Sequence, residues 1–350
     1  KYAQNFNGYK TSGQWNWEGS GHAPNCIPDL LDEMKHETDF LIKCTPSTST
    51  FWYQVGNGGG SADHCERVTA VKSQTYAPSC GGNTDNGTPG TRRPSCKNPN
   101  DGMMASLAAA ALAVMAREYQ PYDAAYAALC LTHAQNAYTY ASTRLGNSVG
   151  SCFGGFYGAP AVVNCTNAYV CAASELFTTT GTASYKTTAD GLYGTVAFNG
   201  GWSFDYANIG ELALYCLAEN GLGAATTAFN NRITGHYLAA GSRNAAGVYT
   251  AYGTWGRLRY NGNAAFLISL YSRLNNNNTA AVINAIHNDV DYMMGKNTPK
   301  RSYIVGYVPA AGGPFVSPLY PHHRNAFLND ANVGNATNLP LPAKMFKWVP

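Results

Sequence analysis

Near its C-terminal end the chain reads Pro321-His322-His323-Arg324, two imidazoles and a guanidinium within four residues. A neutral imidazole donates a hydrogen bond from one nitrogen and accepts at the other, and a guanidinium presents a fixed fork of donors. That set suits a ligand covered in hydroxyl groups. Successive side chains diverge, so His322 and Arg324 are the pair expected to reach one ligand, with His323 a structural support. Aromatic residues strengthen the reading: Trp15, Trp17, Trp52, Trp202 and Trp255 all fall in loop sequence. Sugar rings stack their apolar C–H faces on such rings, while Asn, Asp, His and Arg take the hydroxyls. Any one Trp reads equally well as packing beneath a long loop. Collectively they point to a neutral polysaccharide.

Other chemistries find less support. Gly146-Asn147-Ser148-Val149-Gly150 matches the nucleophile elbow in letters. That elbow needs a strand before it and a helix after it, whereas here a predicted helix precedes and a Cys/Gly loop follows. Gly56-Asn57-Gly58-Gly59-Gly60 lacks the Lys-Ser/Thr of a phosphate loop and reads as a loop shaping a cleft. No H-E-x-x-H or C-x-x-C is present, so no zinc or thioredoxin chemistry is marked. No pattern marks a cofactor, and a structural calcium ion is not readable from the residues. A net charge of +3 without a basic run is too weak to argue for nucleic acid or membrane as a partner, and neither is expected. No apolar run approaches the ~20 residues of a membrane span.

Ten cysteines and a charged fraction of only 12% favour an oxidising, extracellular compartment. Four sequons, at Asn86, Asn164, Asn277 and Asn335, fit that placement. Cys26 and Cys44 flank a predicted helix and would stand about 27 Å apart, too far to bridge. Cys80 with Cys96, and Cys165 with Cys171, read as local staples in loop sequence. Cys130 and Cys216 fall in helical patterns, where a buried free thiol is as good a reading as a disulfide.

The elements that must position these residues are helical nearly throughout. Leu31, Met34, Thr38 and Leu41 step by three and four, predicting a helix over 28–43 with Pro28 in its first turn. An Ala-rich pattern predicts a second over 103–118, whose small side chains permit close helix approach. Further helices are predicted over 123–143, 168–179, 206–219, 226–240, 262–274 and 280–294. Gly221 and Gly295 are placed to end two of them. No repeat of 30 to 45 residues and no linker composition appears, so residues 1–350 read as one all-α domain of stacked helix pairs.

Several ordered motifs carry a resemblance. Asp291-Tyr-Met-Met-Gly-Lys-Asn297, then Ser302-Tyr-Ile-Val-Gly-Tyr307, then His322-His323-Arg324 resemble D-Y-x-x-G-x-N, S-Y-x-V-G-Y and H-H-R of glycoside hydrolase family nine, the inverting cellulases. Upstream, Pro28-Asp29-Leu30-Leu31-Asp32-Glu33 is similar to its P-D-x-L-D-E helix, and Tyr53-Gln54-Val55-Gly56 with Ala62-Asp63-His64 to its Y-x-V-G and D-H segment. Trp255-Gly256-Arg257-Leu258-Arg259-Tyr260, with Asn263-Ala264-Ala265-Phe266, resembles W-G-x-L-R-Y-x-x-N-A-A-F. The resemblance covers about 28–341. It implies an (α/α)6-type barrel of paired helices, incomplete at both ends, and a β-glucan polysaccharide or oligosaccharide as ligand. His322, Arg324, His64, Trp255 and Tyr260 are the substrate-binding residues that it implies.

The same resemblance implies two catalytic carboxyls. Inverting hydrolysis needs a carboxylate base for water and a carboxylic acid for the leaving oxygen, roughly 6.5–9.5 Å apart. The family places the base in a D-x-G-D segment before the P-D-x-L-D-E helix, yet the stretch before Pro28 has Glu18 alone. Its acid is a Glu beyond H-H-R, where this sequence has Asp330 as its single carboxylate. No catalytic residue is therefore identified, and Asp63, Glu66 and Asp205 are not marked as a pair. Val308 also stands where the family has Gly, and the D-H segment lacks its usual Trp. Two expectations follow: the interior of a longer endo-β-1,4-glucanase, or a non-catalytic extracellular glycan-binding or structural relative.

Overall fold

A computed structural model describes residues 27–52, 54–55, 95–96, 102–146, 163–198, 203–205, 208–251, 257–298, 300 and 302–303. By contacts along the chain it divides into two compact units, Lys1–Glu66 with Lys72–Ala197, and Arg67–Val71 with Phe198–Pro350. Nine α-helices are formed among the described residues.

In the first unit, α1 (Asp29–Cys44) starts behind Pro28, whose φ of −59° is already that of a helix entrance. Leu31 and Thr38 are buried and Met34 and Leu41 pack beside them, so the predicted stripe is the face that meets the core. A two-residue antiparallel ribbon, β1 (Gln54–Val55) with β2 (Ser95–Cys96), follows. The centre is α2 (Met103–Tyr119) packed on α3 (Ala124–Ala141) and α4 (Val163–Thr180). Ala109, Ala137 and Ala172, one from each helix, meet in one cluster. Small residues there let three backbones approach closely, and Leu112, Met115, Tyr119 and Leu176 fill the wider space beside them. Asp123 caps α3 by accepting from the Tyr126 amide at 2.9 Å. Polar ties lock the helices in register: Thr38 Oγ1 to Tyr126 Oη at 2.7 Å, and Thr179 Oγ1 to the Ala113 carbonyl at 2.8 Å.

Two sequence expectations fail in this unit. α4 begins at Val163, so Cys165 and Cys171 lie on one helix about 9 Å apart along its axis, on different sides. Cys171 is a buried free thiol, and the local Cys165–Cys171 staple does not form. Cys44 and Cys130 are likewise buried free thiols, each pushed up to about 11 by desolvation. Cys80 lies outside the described residues, and so does its proposed pairing with Cys96. The short α5 (Ala183–Gly191) was not expected: it is rich in Ser and Thr, and Ala189 is its buried residue.

The second unit holds α6 (Gly210–Glu219), α7 (Gly223–Arg232), α8 (Arg257–Asn275) and α9 (Ala280–Met294). α6 is buried nearly all round, and Tyr215 packs against Phe229 of α7 with ring centroids 5.5 Å apart. It ends as expected on Gly221, at φ +89°, with the Leu222 amide bonded to the Leu217 carbonyl at 3.1 Å. The single helix expected over 226–240 is instead α7 followed by a π-turn, Ile233–Tyr237, closed by the Leu238 amide on the Ile233 carbonyl at 2.9 Å. That extra residue in the turn sets the direction of His236 and Tyr237, both of which meet the segment at 203–205 described next.

Candidate functional site

Of the five expected ligand-binding residues, Tyr260 lies within the described structure; His64, Trp255, His322 and Arg324 lie outside it, as do Asp63, Glu66 and Asp330. Tyr260 is in the first turn of α8, buried except for its edge. Its hydroxyl accepts from Arg259 Nη2 at 2.8 Å and donates to Asp205 Oδ2 at 3.3 Å. The Arg259 guanidinium also stands 4.7 Å from the centre of the Tyr260 ring and 3.6 Å from Asp205 Oδ2. Burial pushes the Tyr260 phenol above its ordinary range, partly offset by Arg259, so it acts as a neutral hydroxyl.

This corner therefore joins a carboxylate, a cation and a hydroxyl beside one aromatic ring. Arg259 keeps 37% of its side-chain surface in solvent against 10% for Asp205, so the guanidinium is the outward member. Asp205, which the sequence left unassigned, faces two donors at Oδ2. Such a carboxylate is held as a hydrogen-bond acceptor by the phenol and the guanidinium.

Asp205 is carried on a short segment whose backbone is tied down by several hydrogen bonds. Asp205 and Asn208 exchange amide-to-carbonyl bonds, both 3.1 Å. Asn208 Nδ2 donates to the Ser203 carbonyl at 3.2 Å, and Asn263 Nδ2 of α8 to the Phe204 carbonyl at 2.7 Å. The Phe204 amide donates to Tyr237 Oη at 2.8 Å. Tyr237 in turn donates to Glu211 Oε1 at 3.0 Å, which also accepts from Arg232 Nε at 2.9 Å. Glu211 is fully buried, and desolvation raises its carboxyl against the pull of Arg232. Behind the segment, the Ser203 and Tyr249 hydroxyls meet at 2.5 Å, and His236 Nε2 faces them at 3.3 and 3.0 Å. Desolvation and the Arg232 charge hold that imidazole down at about 4, and therefore neutral.

One of the sequence motifs turns out to be a helix end, and the start of the next is tied to it. Gly295 of D-Y-x-x-G-x-N takes φ +116° at the end of α9, and the Lys296 amide reaches the Asp291 carbonyl at 2.7 Å. Asn297 Nδ2 caps the Tyr292 carbonyl at 2.8 Å, and the Tyr303 amide bonds the Met293 carbonyl at 2.8 Å. The first residues of S-Y-x-V-G-Y are thus tied to α9. Sequence reasoning missed Glu211, Arg232, His236, Tyr237 and Tyr249; their partners are many residues away, and no local spacing signals them. Among the described residues no three His, Cys, Asp or Glu gather as ligands for an ion, and no helix is long and apolar enough to cross a membrane.

The sequence profile of Glycosyl hydrolase family 9 matches residues 2–344. The chain belongs to glycosyl hydrolase family 9. Its relatives include endoglucanase A of Fibrobacter succinogenes, 30% identical over 324 residues, covering 88% of this chain and 65% of that protein. Endoglucanase 13 of Oryza sativa subsp. japonica is 25% identical, covering 89% and 52%. The chain therefore spans about half to two thirds of the length of these curated relatives. Among solved structures, the cellulase Cel9M of C. cellulolyticum in complex with cellobiose aligns with a TM-score of 0.65 at 24% identity, over 88% of this chain and 67% of that one. Endoglucanase CelQ from Clostridium thermocellum complexed with cellotriose aligns with a TM-score of 0.65 at 21% identity, over 85% and 46%. The fold class is the one the motifs implied, the all-α (α/α)6-type barrel of paired helices.

Proposed function

We propose that this family 9 chain binds a β-1,4-glucan at the Asp205–Arg259–Tyr260 corner and belongs to an endo-acting hydrolase that inverts the anomeric centre. The observation that carries the binding reading is the outward guanidinium of Arg259, fixed over Tyr260 and beside Asp205, inside the W-G-R-L-R-Y match. Oligosaccharide hydroxyls present both donors and acceptors, and this corner offers both. The cellobiose and cellotriose complexes of the fold relatives support the same class of ligand. Trp255, His64, His322 and Arg324 complete the proposal as further contacts to the chain of sugars. The reaction's two carboxyls are assigned to no residue.

The ion-paired state of Asp205 also favours a second reading, a glycan-binding protein without hydrolysis. Titration of cellohexaose into the protein by calorimetry tests what both share: Arg259→Ala should weaken binding about tenfold, the scale of a lost charged hydrogen bond. Undetectable binding by the unsubstituted protein would remove both readings. New reducing ends from cellulose, with the α-anomer formed first, would select the inverting hydrolase. Extracellular placement belongs to the same proposal and rests on the polymer, which is met outside the cell. Cysteine content supports it less than the sequence suggested, because Cys44, Cys130 and Cys171 are free thiols.

A further inference from the structure

The segment carrying Asp205 has no strand or helix of its own between Ser203 and Asp205, so its shape is set by what holds its backbone. Phe204 is the central residue. Its carbonyl is fixed from α8 by Asn263 at 2.7 Å, and its amide from the π-turn by Tyr237 at 2.8 Å. The polarity of the second bond is forced. A phenol has one hydrogen, and Tyr237 places it on Glu211 Oε1 at 3.0 Å, which leaves an oxygen lone pair facing the Phe204 N–H. Arg232 holds the same Glu211 oxygen from the end of α7 at 2.9 Å. Tyr237 is itself fully buried, with its ring stacked on Tyr249 at 5.4 Å between centroids.

We propose that Tyr237 is a positioning residue of the glucan-binding corner: oriented by Glu211, it fixes the Phe204 amide and so sets Asp205 against Arg259 and Tyr260. The inference rests on the binding reading above, and deepens it. Tyr237 touches no sugar. It acts through the backbone of two adjacent residues, Phe204 and Asp205, on the carboxylate that aims the guanidinium. The π-turn is part of the device, since it ends at Tyr237 and directs that side chain to the 203–205 segment.

The test uses Tyr237→Phe, which keeps the stacked ring and removes the acceptor. Hydrogen exchange at the Phe204 amide should speed up by at least tenfold, and cellohexaose affinity by calorimetry should fall severalfold to tenfold. In the Tyr237→Phe/Arg259→Ala double variant the two losses should not add, because both act through one guanidinium. A purely structural Tyr237 would give additive losses, and that result overturns the inference, as does unchanged exchange at Phe204. Asn263→Asp offers the second route if Tyr237→Phe does not fold: its carboxylate repels the Phe204 carbonyl, and its binding loss should show the same non-additivity with Arg259→Ala. Binding that is intact in the unsubstituted protein and sensitive to Arg259→Ala, yet indifferent to Tyr237→Phe and Asn263→Asp, sinks this inference alone. No binding by the unsubstituted protein sinks it together with the function it rests on.

Discussion

At the scale of single residues, burial decides the charge state of groups the sequence would place in solvent. His236 titrates near 4 in the folded protein against 6.5 when unfolded. Between those values the unfolded chain holds more protons at this position than the folded one. The His236 contribution to stability is therefore complete above pH 6.5 and is lost as pH falls towards 4. His236→Gln should flatten the pH 4 to 6.5 limb of melting temperature against pH, read by circular dichroism; an unchanged limb would contradict it. Asp289 is a different case. It is fully buried and accepts from the Tyr249 amide at 2.7 Å, Asn261 Nδ2 at 3.4 Å and Arg243 Nη2 at 2.9 Å. Asp289→Ala removes the counter-charge of the largely buried Arg243 guanidinium and the acceptor of the buried Tyr249 amide, so urea unfolding should show a loss of about 3–5 kcal/mol. Little of this was legible in the sequence. Tyr260 was found because a motif contains it, whereas Tyr237 and Glu211 meet across 26 positions, a separation no periodicity reports.

Helices were more legible than their ends, and the reason lies in what each face touches. The alanines of α2 predicted close approach, and Ala109 does meet Ala137 and Ala172. Ala109→Leu should therefore overpack the three-helix contact and cost about 1–3 kcal/mol in urea unfolding. A helix that tolerated it would show that the contact is loose. Gly221 was placed at a helix end on type alone and sits at φ +89°; Gly221→Ala should cost about 1–2 kcal/mol, with thermal melting the measure. The start of α4 was read five residues late because Asn164 and Asn167 resemble loop sequence. Both are buried, and Asn167 bonds Asn164 at 3.3 Å and the Ala197 carbonyl at 2.8 Å. A tertiary partner thus replaces the solvent that polar side chains normally seek. α5 was missed for the converse reason: with Ala189 as its buried residue, it carries almost no apolar stripe to read.

For the molecule as a whole, ordered motifs identified the family before any coordinate did, and one of them, around Gly295, is a helix end that the fold uses. Most of the expected contacts lie outside the described residues, so the proposed site is represented by one corner, and the stability of the protein should report its occupancy. Cellohexaose at a hundred times its dissociation constant should stabilise the native state by about 2.7 kcal/mol, visible as a raised melting temperature that Arg259→Ala diminishes. One further property of the chain concerns its making rather than its working. Asn164 opens a sequon and is 0% exposed, on the face of α4 that packs inward. In a host that attaches glycans to nascent chains, a sugar placed there would stay on the asparagine and prevent α4 from docking. Yield in such a host should rise with Thr166→Ala, which removes the acceptor triplet while leaving the buried amide in place, and the secreted material should lack a glycan at position 164 by mass spectrometry.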